Sequence, residues 1–198
     1  MAAAALGYPL AMTENTGNAQ HDVVDLLMQQ HDRVRQLFAA VESTSGDARK
    51  DSFEELRALL AVHETAEEMV VHPSVKNQGG AGEGVVESRL QEEHDAKEVL
   101  SDLDGMDVND ANFTEKFATL KQMVTDHAES EEREEFPLVR QINDADQLAK
   151  MARAVQSAEK IAPTHPHPGV ESQGANMAAG PIAGLIDRTR DAVKSAMS

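Results

Sequence analysis

An internal repeat is the feature that most limits how this chain can fold. The hexapeptide HETAEE at 63–68 returns as HAESEE at 127–132, and QHD at 30–32 is matched by EHD at 93–95. Apolar residues recur around both copies at steps of three and four, which is the spacing of an amphipathic helix. A two-helix unit written twice predicts an all-α fold, an up-down-up-down four-helix bundle with approximate two-fold symmetry.

Helix-breaking residues divide the chain into five parts. Within the bundle, four helices are predicted at 22–42, 47–72, 83–103 and 110–136, the second and fourth ending at Pro73 and Pro137. The predicted parts are a flexible N-terminal segment (1–20), the bundle (21–140), an additional helix (141–161), a Pro/Gly-rich linker (162–180) and a C-terminal amphipathic helix (181–198). We expect the last helix to dock on this protein or on a partner.

Each predicted bundle helix carries one histidine on the apolar stripe that should face the core. These histidines are His31, His63, His94 and His127, although the stripe around His94 is less regular than the others. Glu67 and Glu131 follow His63 and His127 by four residues, which is one helical turn. An imidazole and a carboxylate at this spacing can reach the same small volume, so four histidines and two carboxylates should converge in the bundle.

A metal is the simplest compensation for this buried polar set. Burying a bare carboxylate costs several kcal/mol unless a cation or hydrogen bonds compensate it, and no Arg or Lys recurs at a matching core position. The symmetry suggests two metals, one held by His31 and His63 and the other by His94 and His127. Glu67 and Glu131 would bridge the two metals. An oxide or hydroxide bridge would then leave each metal an open position. A metal-free buried network in a structural bundle is the alternative.

Composition restricts the chemistry further. The chain has no cysteine, so any metal must be held by histidine and carboxylate, a ligand set that suits Fe, Mn or Zn. A net charge of −17 argues against nucleic acid or an anionic membrane as a partner. The N-terminus lacks a basic segment followed by a long apolar run, and we expect a cytoplasmic protein.

The motif set resembles the hemerythrin-like family, in particular its HHE cation-binding branch. In that family a His, an HxxxE, a second His and a second HxxxE or HxxxD lie on four successive helices and bind two irons. The matching elements here are His31, His63-Glu67, His94 and His127-Glu131. The resemblance implies two Fe ions, bridged by carboxylate and by an oxo or hydroxo group, that bind or react with O₂, NO or H₂O₂ in an oxidative-stress or redox response.

One position departs from the oxygen-carrying members of the family, which have a second histidine on the third helix. Here Glu98 stands four residues after His94 and Leu90 four before it. This departure argues against reversible oxygen storage and favours reaction with peroxide, a catalase-like activity. The alternative function is an iron- or oxygen-sensing module that signals to a protein partner, or within a homo-oligomer, through the C-terminal helix.

A few further polar residues have weaker patterns. Glu64 adjoins His63 but is matched by Ala128 in the repeat, which argues against a role for Glu64 as a ligand. Glu68 and Glu132 should lie about 100° further round their helices, which favours supporting or surface roles. His72 is matched by Phe136, and we expect it to be structural or exposed.

Overall fold

The computed structural model describes residues 22–77, 79–160 and 180–197, and all regular structure in these ranges is helical. The predicted segment 1–20 and residues 162–179 of the predicted linker lie outside them. The elements are α1 (Val23–Ser43), α2 (Gly46–Ala66), π1 (Glu67–Val71), α3 (His72–Lys76), α4 (Ala81–Asp104), α5 (Ala111–Ser130), π2 (Glu131–Glu135), α6 (Phe136–Ile142), α7 (Ala145–Glu159) and α8 (Gly180–Met197). The rods α1, α2–π1–α3, α4 and α5–π2–α6 form the helical bundle predicted from the repeat.

Two of these rods continue past the prolines at which the sequence analysis ended them. In π1 the amide of His72 donates to the carbonyl of Glu67, five residues back, and in π2 the amide of Phe136 donates to that of Glu131. Pro73 and Pro137 then lie in the first turn of α3 and α6, where a missing N–H is tolerated. The prediction that the helices end there is wrong because the wider turn accommodates each proline.

The bundle interior consists of two apolar clusters with a polar layer between them. One cluster lies toward the α1–α2 and α4–α5 connections and contains Phe38, Phe53, Phe113 and Phe117. The other combines the opposite end of the bundle with α7 and α8. Buried polar residues occupy the turns between the clusters, so apolar packing on both sides fixes the helices that carry the site.

The C-terminal helices pack on the bundle at the level of the polar layer. A capping box formed by Asp144 and Gln147 begins α7, which contacts α1, α2 and π1. Helix α8 packs on α7 and α2, with Leu185 and Val193 buried in the shared cluster. The expected docking therefore occurs within the chain. No helix in the described ranges combines the length and apolar character needed to cross a bilayer.

Candidate metal centre

Two imidazoles from adjacent helices meet at the centre of the polar layer. The Nε2 atoms of His31 in α1 and His63 in α2 are 3.2 Å apart, and both side chains are buried. His31 Nδ1 donates to Glu132 Oε1 at 2.9 Å, and His63 Nδ1 donates to Gln30 Oε1 at 2.5 Å. Because both partner atoms only accept hydrogen bonds, each Nδ1 carries a proton. When both rings are neutral, the Nε2 lone pairs face each other, an arrangement that a cation between them, either a proton or a metal ion, would relieve.

The two glutamates of the repeated HxxxE motif complete this half of the centre. Glu67 Oε2 lies 3.1 Å from His63 Nε2, and Glu131 Oε2 lies 3.3 Å from His31 Nε2. Both carboxylates are fully buried, and none of their four oxygens has a hydrogen-bond donor in the described part of the chain. Burial, followed by the repulsion from Glu131 and Glu93, raises the pKa of Glu67 well above its ordinary value. The uncompensated charge is what a bound cation would neutralise.

A second half of the centre lies on the other side of the same glutamates. His127 Nε2 is 3.4 Å from Glu131 Oε1 and has no hydrogen-bond partner among the described residues, while its Nδ1 donates to Glu92 Oε2 at 3.0 Å. Burial opposes protonation of His127, but Glu131 and Glu92 raise its pKa overall. Glu93 of α4 is buried, and donor atoms of Glu67, Glu93 and His127 lie close enough together to hold one ion.

His72, at the end of π1, extends this second half. Its Nδ1 donates to Glu135 Oε1 at 2.8 Å and its Nε2 donates to Glu93 Oε1 at 2.7 Å. Burial would lower the pKa of His72, but the two carboxylates raise it to about 10, so the ring is an imidazolium in the metal-free protein. Donor atoms of His72, Glu131 and Glu135 also lie close enough together to hold one ion.

The sequence-based placement of His94 in the core is wrong. The His94 side chain is 66% exposed, and its Nε2 lies 3.7 Å from Glu98 Oε1 on the outer face of α4. The inward stripe of this helix instead runs through Val86, Arg89, Glu93 and Ala96, which are all buried. The sequence of α4 does contain a stripe spaced regularly by three and four residues. That stripe includes Glu93, which corresponds to Gln30 in the repeat, and does not include His94.

The structure thus brings together five of the six residues predicted as ligands: His31, His63, Glu67, His127 and Glu131. Sequence reasoning missed Glu93, His72 and Glu135. It expected His72 to be structural or exposed because the residue is matched by Phe136 in the repeat, whereas the five-residue hydrogen bond of π1 brings the buried ring to Glu93 and Glu135. The supporting role expected for Glu132 agrees with its hydrogen bond to His31.

Glu64 is buried beside the centre but has a cationic partner of its own. Its Oε2 lies 3.3 Å from Lys97 Nζ, and the same ammonium group contacts Glu68 at 2.6 Å and Glu93 at 3.1 Å. Burial raises the pKa of Glu64 to about 7, although Lys97 opposes the shift. Because Lys97 compensates this carboxylate, Glu64 differs from the unpartnered Glu67 and Glu131.

A small cavity adjoins the imidazoles. Its volume is about 20 Å³, and its wall includes the rings of His31, His63 and His127 together with apolar side chains. The apolar lining residues are Val34, Phe38, Leu60, Ala96, Val124 and Ala128. A water needs roughly 10–15 Å³ of such space, so the cavity admits a ligand of one or two heavy atoms next to the centre.

Comparison with known proteins agrees with this geometry. The family model described as the hemerythrin HHE cation binding domain matches residues 22–139. The chain belongs to the hemerythrin HHE family. A solved structure, that of a hemerythrin HHE cation binding domain-containing protein from Mycobacterium kansasii, superposes with a TM-score of 0.64 at 15% identity and covers 85% of this chain and 99% of its own. None of the curated proteins matched.

The donor set of this hemerythrin HHE chain fits a metal. Imidazole nitrogen and carboxylate oxygen are the ligands preferred by iron, manganese and zinc. The buried atoms without a partner in the described residues include both carboxylate oxygens of Glu67 and Glu131 and the Nε2 of His127. The Nδ1 atoms of the site histidines all donate to carboxylate or amide oxygens, the support typical of metal-binding imidazoles. The cluster can therefore hold a metal ion.

Proposed function

We propose that the cluster holds two iron ions and that the protein binds or reacts with a small ligand, O₂, NO or H₂O₂. The observation that carries this proposal is the orientation of His31, His63 and His127. Each donates from Nδ1 to a supporting oxygen and turns Nε2 toward buried carboxylates that lack donors in the described residues. A bound cation satisfies all of these groups together.

The proposed ligands divide into two sets that share the repeated glutamates. His31 and His63 would hold one ion and His127 and Glu93 the other, and the carboxylates of Glu67 and Glu131 lie within reach of both sets. His72 is the next donor for the second ion, because its Nε2 already lies against Glu93. In this proposal Glu93 and His72 replace His94, whose ring is exposed.

The residues around the centre position the ions and limit what reaches them. When bound, a pair of iron ions supplies redox chemistry and open positions for a small ligand. The carboxylates at Glu67 and Glu131 are fully buried, which excludes bulk water from the shared positions. The cavity of about 20 Å³ beside His31, His63 and His127 has room for a peroxide or diatomic molecule next to the centre.

The proposal is tested on full-length protein purified without chelator. We expect about two irons per chain by plasma mass spectrometry, since the donors form two sets, with charge-transfer bands in the near-ultraviolet that change when H₂O₂ or NO is added. His63→Ala should lose iron, whereas His94→Ala, the matched control, should retain it. Absence of iron after anaerobic loading with Fe(II) would contradict the iron centre. Intact iron with an unchanged spectrum in peroxide, NO and O₂ would contradict the ligand chemistry.

A further inference from the structure

One hydrogen-bonded chain connects the centre to a helix beyond the region that matches the family. His63 Nδ1 donates to Gln30 Oε1 at 2.5 Å, and Gln30 Nε2 donates to Glu159 Oε1 at 2.6 Å. Gln30 is buried, and Glu159 is the last residue of α7. The family match ends at residue 139, so Glu159 belongs to a part of the molecule that the bundle motif does not include.

The support of His63 differs in kind from that of its neighbours. His31 is held by the Glu132 carboxylate, which accepts from Arg35 Nη2 at 2.8 Å. His127 is likewise held by a carboxylate that accepts from an arginine, through Glu92 and Arg89. The support of His63 is a neutral amide, which can present either an oxygen or an NH₂ group to the ring.

Glu159 decides which end of the amide faces His63. A carboxylate accepts hydrogen bonds and does not donate them, so it draws the NH₂ group of Gln30 and turns Oε1 toward the imidazole. Oε1 in turn requires the proton of His63 on Nδ1, which leaves the lone pair on Nε2 for the centre. Without Glu159, Gln30 is free to rotate by 180° and donate to Nδ1, and that arrangement places the proton of His63 on Nε2.

We propose that Glu159 is a positioning residue that sets the tautomer of His63 through Gln30, so that α7 forms part of the metal centre. This inference rests on the proposed function. Packing holds Glu159 in place, because Val155 and Ala158 of α7 are buried in the same cluster as Val62 and Ala66 of α2. The turn of α2 that carries His63 and the end of α7 are therefore fixed against each other.

The test compares Glu159→Ala and Glu159→Gln with the wild type. Glutamine at 159 retains an oxygen that can accept from Gln30, so it should rescue what alanine loses. Gln156→Ala is the matched control, because Gln156 lies one turn earlier in α7 and is exposed. In metal-free protein, nitrogen-15 spectra of the imidazoles should place the His63 proton on Nδ1 in the wild type and shift it partly to Nε2 in Glu159→Ala.

The iron-loaded proteins give the second readout. Loss of such supporting contacts typically reduces metal affinity about 10- to 100-fold, so iron should transfer to a competing chelator at least about tenfold faster from Glu159→Ala than from Gln156→Ala. In a Gln30→Met background, Glu159→Ala should add nothing, since the two residues act in series. This cycle also provides a test if Glu159→Ala alone folds poorly.

The outcomes separate the two proposals. If the wild type binds iron but the His63 tautomer and iron release in Glu159→Ala equal those of Gln156→Ala, the positioning role is overturned and the metal centre stands. Additive effects of Gln30→Met and Glu159→Ala would equally overturn the path through Gln30. If the wild type binds no iron, the proposed function is overturned, whatever the tautomer of His63. The hydrogen bonds from Glu159 through Gln30 would then support no metal centre.

Discussion

At the scale of single residues, the centre is defined by where protons lie. His31 and His63 each have an acceptor on Nδ1, so their Nε2 lone pairs face each other at 3.2 Å. Neither ring can relieve this contact by changing tautomer without losing a buried hydrogen bond, which costs about 1–3 kcal/mol. When both rings are neutral, this arrangement is unfavourable without a cation, and a bound metal ion would turn it into a binding site.

The choice between Glu93 and His94 as the ligand from α4 gives the first prediction. Glu93→Gln removes the charge of a buried carboxylate beside His127, so iron should fall from about two ions per chain toward one, because one donor set remains intact. Glu98→Gln is the control, since Glu98 is the exposed partner of His94. Iron content by plasma mass spectrometry decides the matter, and equal iron in both variants would count against Glu93.

The same pair of residues shows what sequence can and cannot predict about the site. Five of the residues that the structure brings together were predicted from the repeat and the HxxxE spacing, because His and Glu four residues apart share one helix face. The predicted core position of His94 was wrong because α4 is rotated about its axis relative to α1, its counterpart in the repeat. In α1 both Gln30 and His31 are buried, whereas in α4 the equivalent Glu93 is buried and His94 is exposed. The packing between helices determines that rotation, which cannot be inferred from the sequence repeat alone.

At the scale of elements, the two π segments bring residues from successive turns to one point. Each begins at a central glutamate, Glu67 or Glu131, where the carbonyl accepts a hydrogen bond from five residues later. Interruptions of this kind occur frequently at functional sites. The bundle itself was predictable from the repeated apolar spacing, but the π turns were not. The local residues have ordinary helix propensity, and the following proline reads as a helix end.

Removing one residue from π1 should convert it to a regular helical turn. We expect deletion of Met69 to rotate His72 by about 100° away from Glu93, so that the iron bound through the second donor set is lost. Deletion of Asn77 is the control, because it shortens the following turn without moving His72. If the Met69 deletion kept full iron content, His72 and the π turn would have no part in metal binding.

At the scale of the whole molecule, the centre lies between two apolar clusters that the helices must hold together. Buried glutamates occupy the layer between them, and the chain as a whole has a net charge of −17. The overall acidity and the helical C-terminal segment were predictable from composition and apolar spacing. The hydrogen bond from Glu159 to Gln30 was not, because it joins residues 129 positions apart with no motif in common.

Metal binding should contribute to the stability of the whole fold. A ligand that binds only the folded state stabilises it by RT ln(1 + [L]/Kd), about 4 kcal/mol at a thousandfold excess over Kd. We expect iron-loaded protein to unfold at higher denaturant concentration than protein stripped by chelator, with His94→Ala behaving like the wild type. Identical unfolding curves with and without iron would support the metal-free buried network instead.

The stability of the metal-free protein should also depend on pH through His72. Its pKa rises from the ordinary 6.5 to about 10 in the folded state, because Glu135 and Glu93 outweigh the effect of burial. Between these values the folded protein holds a proton that the unfolded chain has released. The stabilisation is therefore complete below pH 6.5 and is lost as pH rises through about 10, at up to ~1.4 kcal/mol per pH unit.

Urea unfolding of chelator-treated protein at pH 7, 8, 9 and 10 measures this slope. In His72→Gln the proton is absent, so the free energy of unfolding should decline less steeply than in the wild type over this range. His94→Gln should keep the wild-type slope, because that ring is exposed and lies 3.7 Å from the carboxylate of Glu98. Parallel slopes in all three proteins would mean that Glu93 and Glu135 do not hold His72 as an imidazolium. The second donor set would then have to be arranged differently around Glu131.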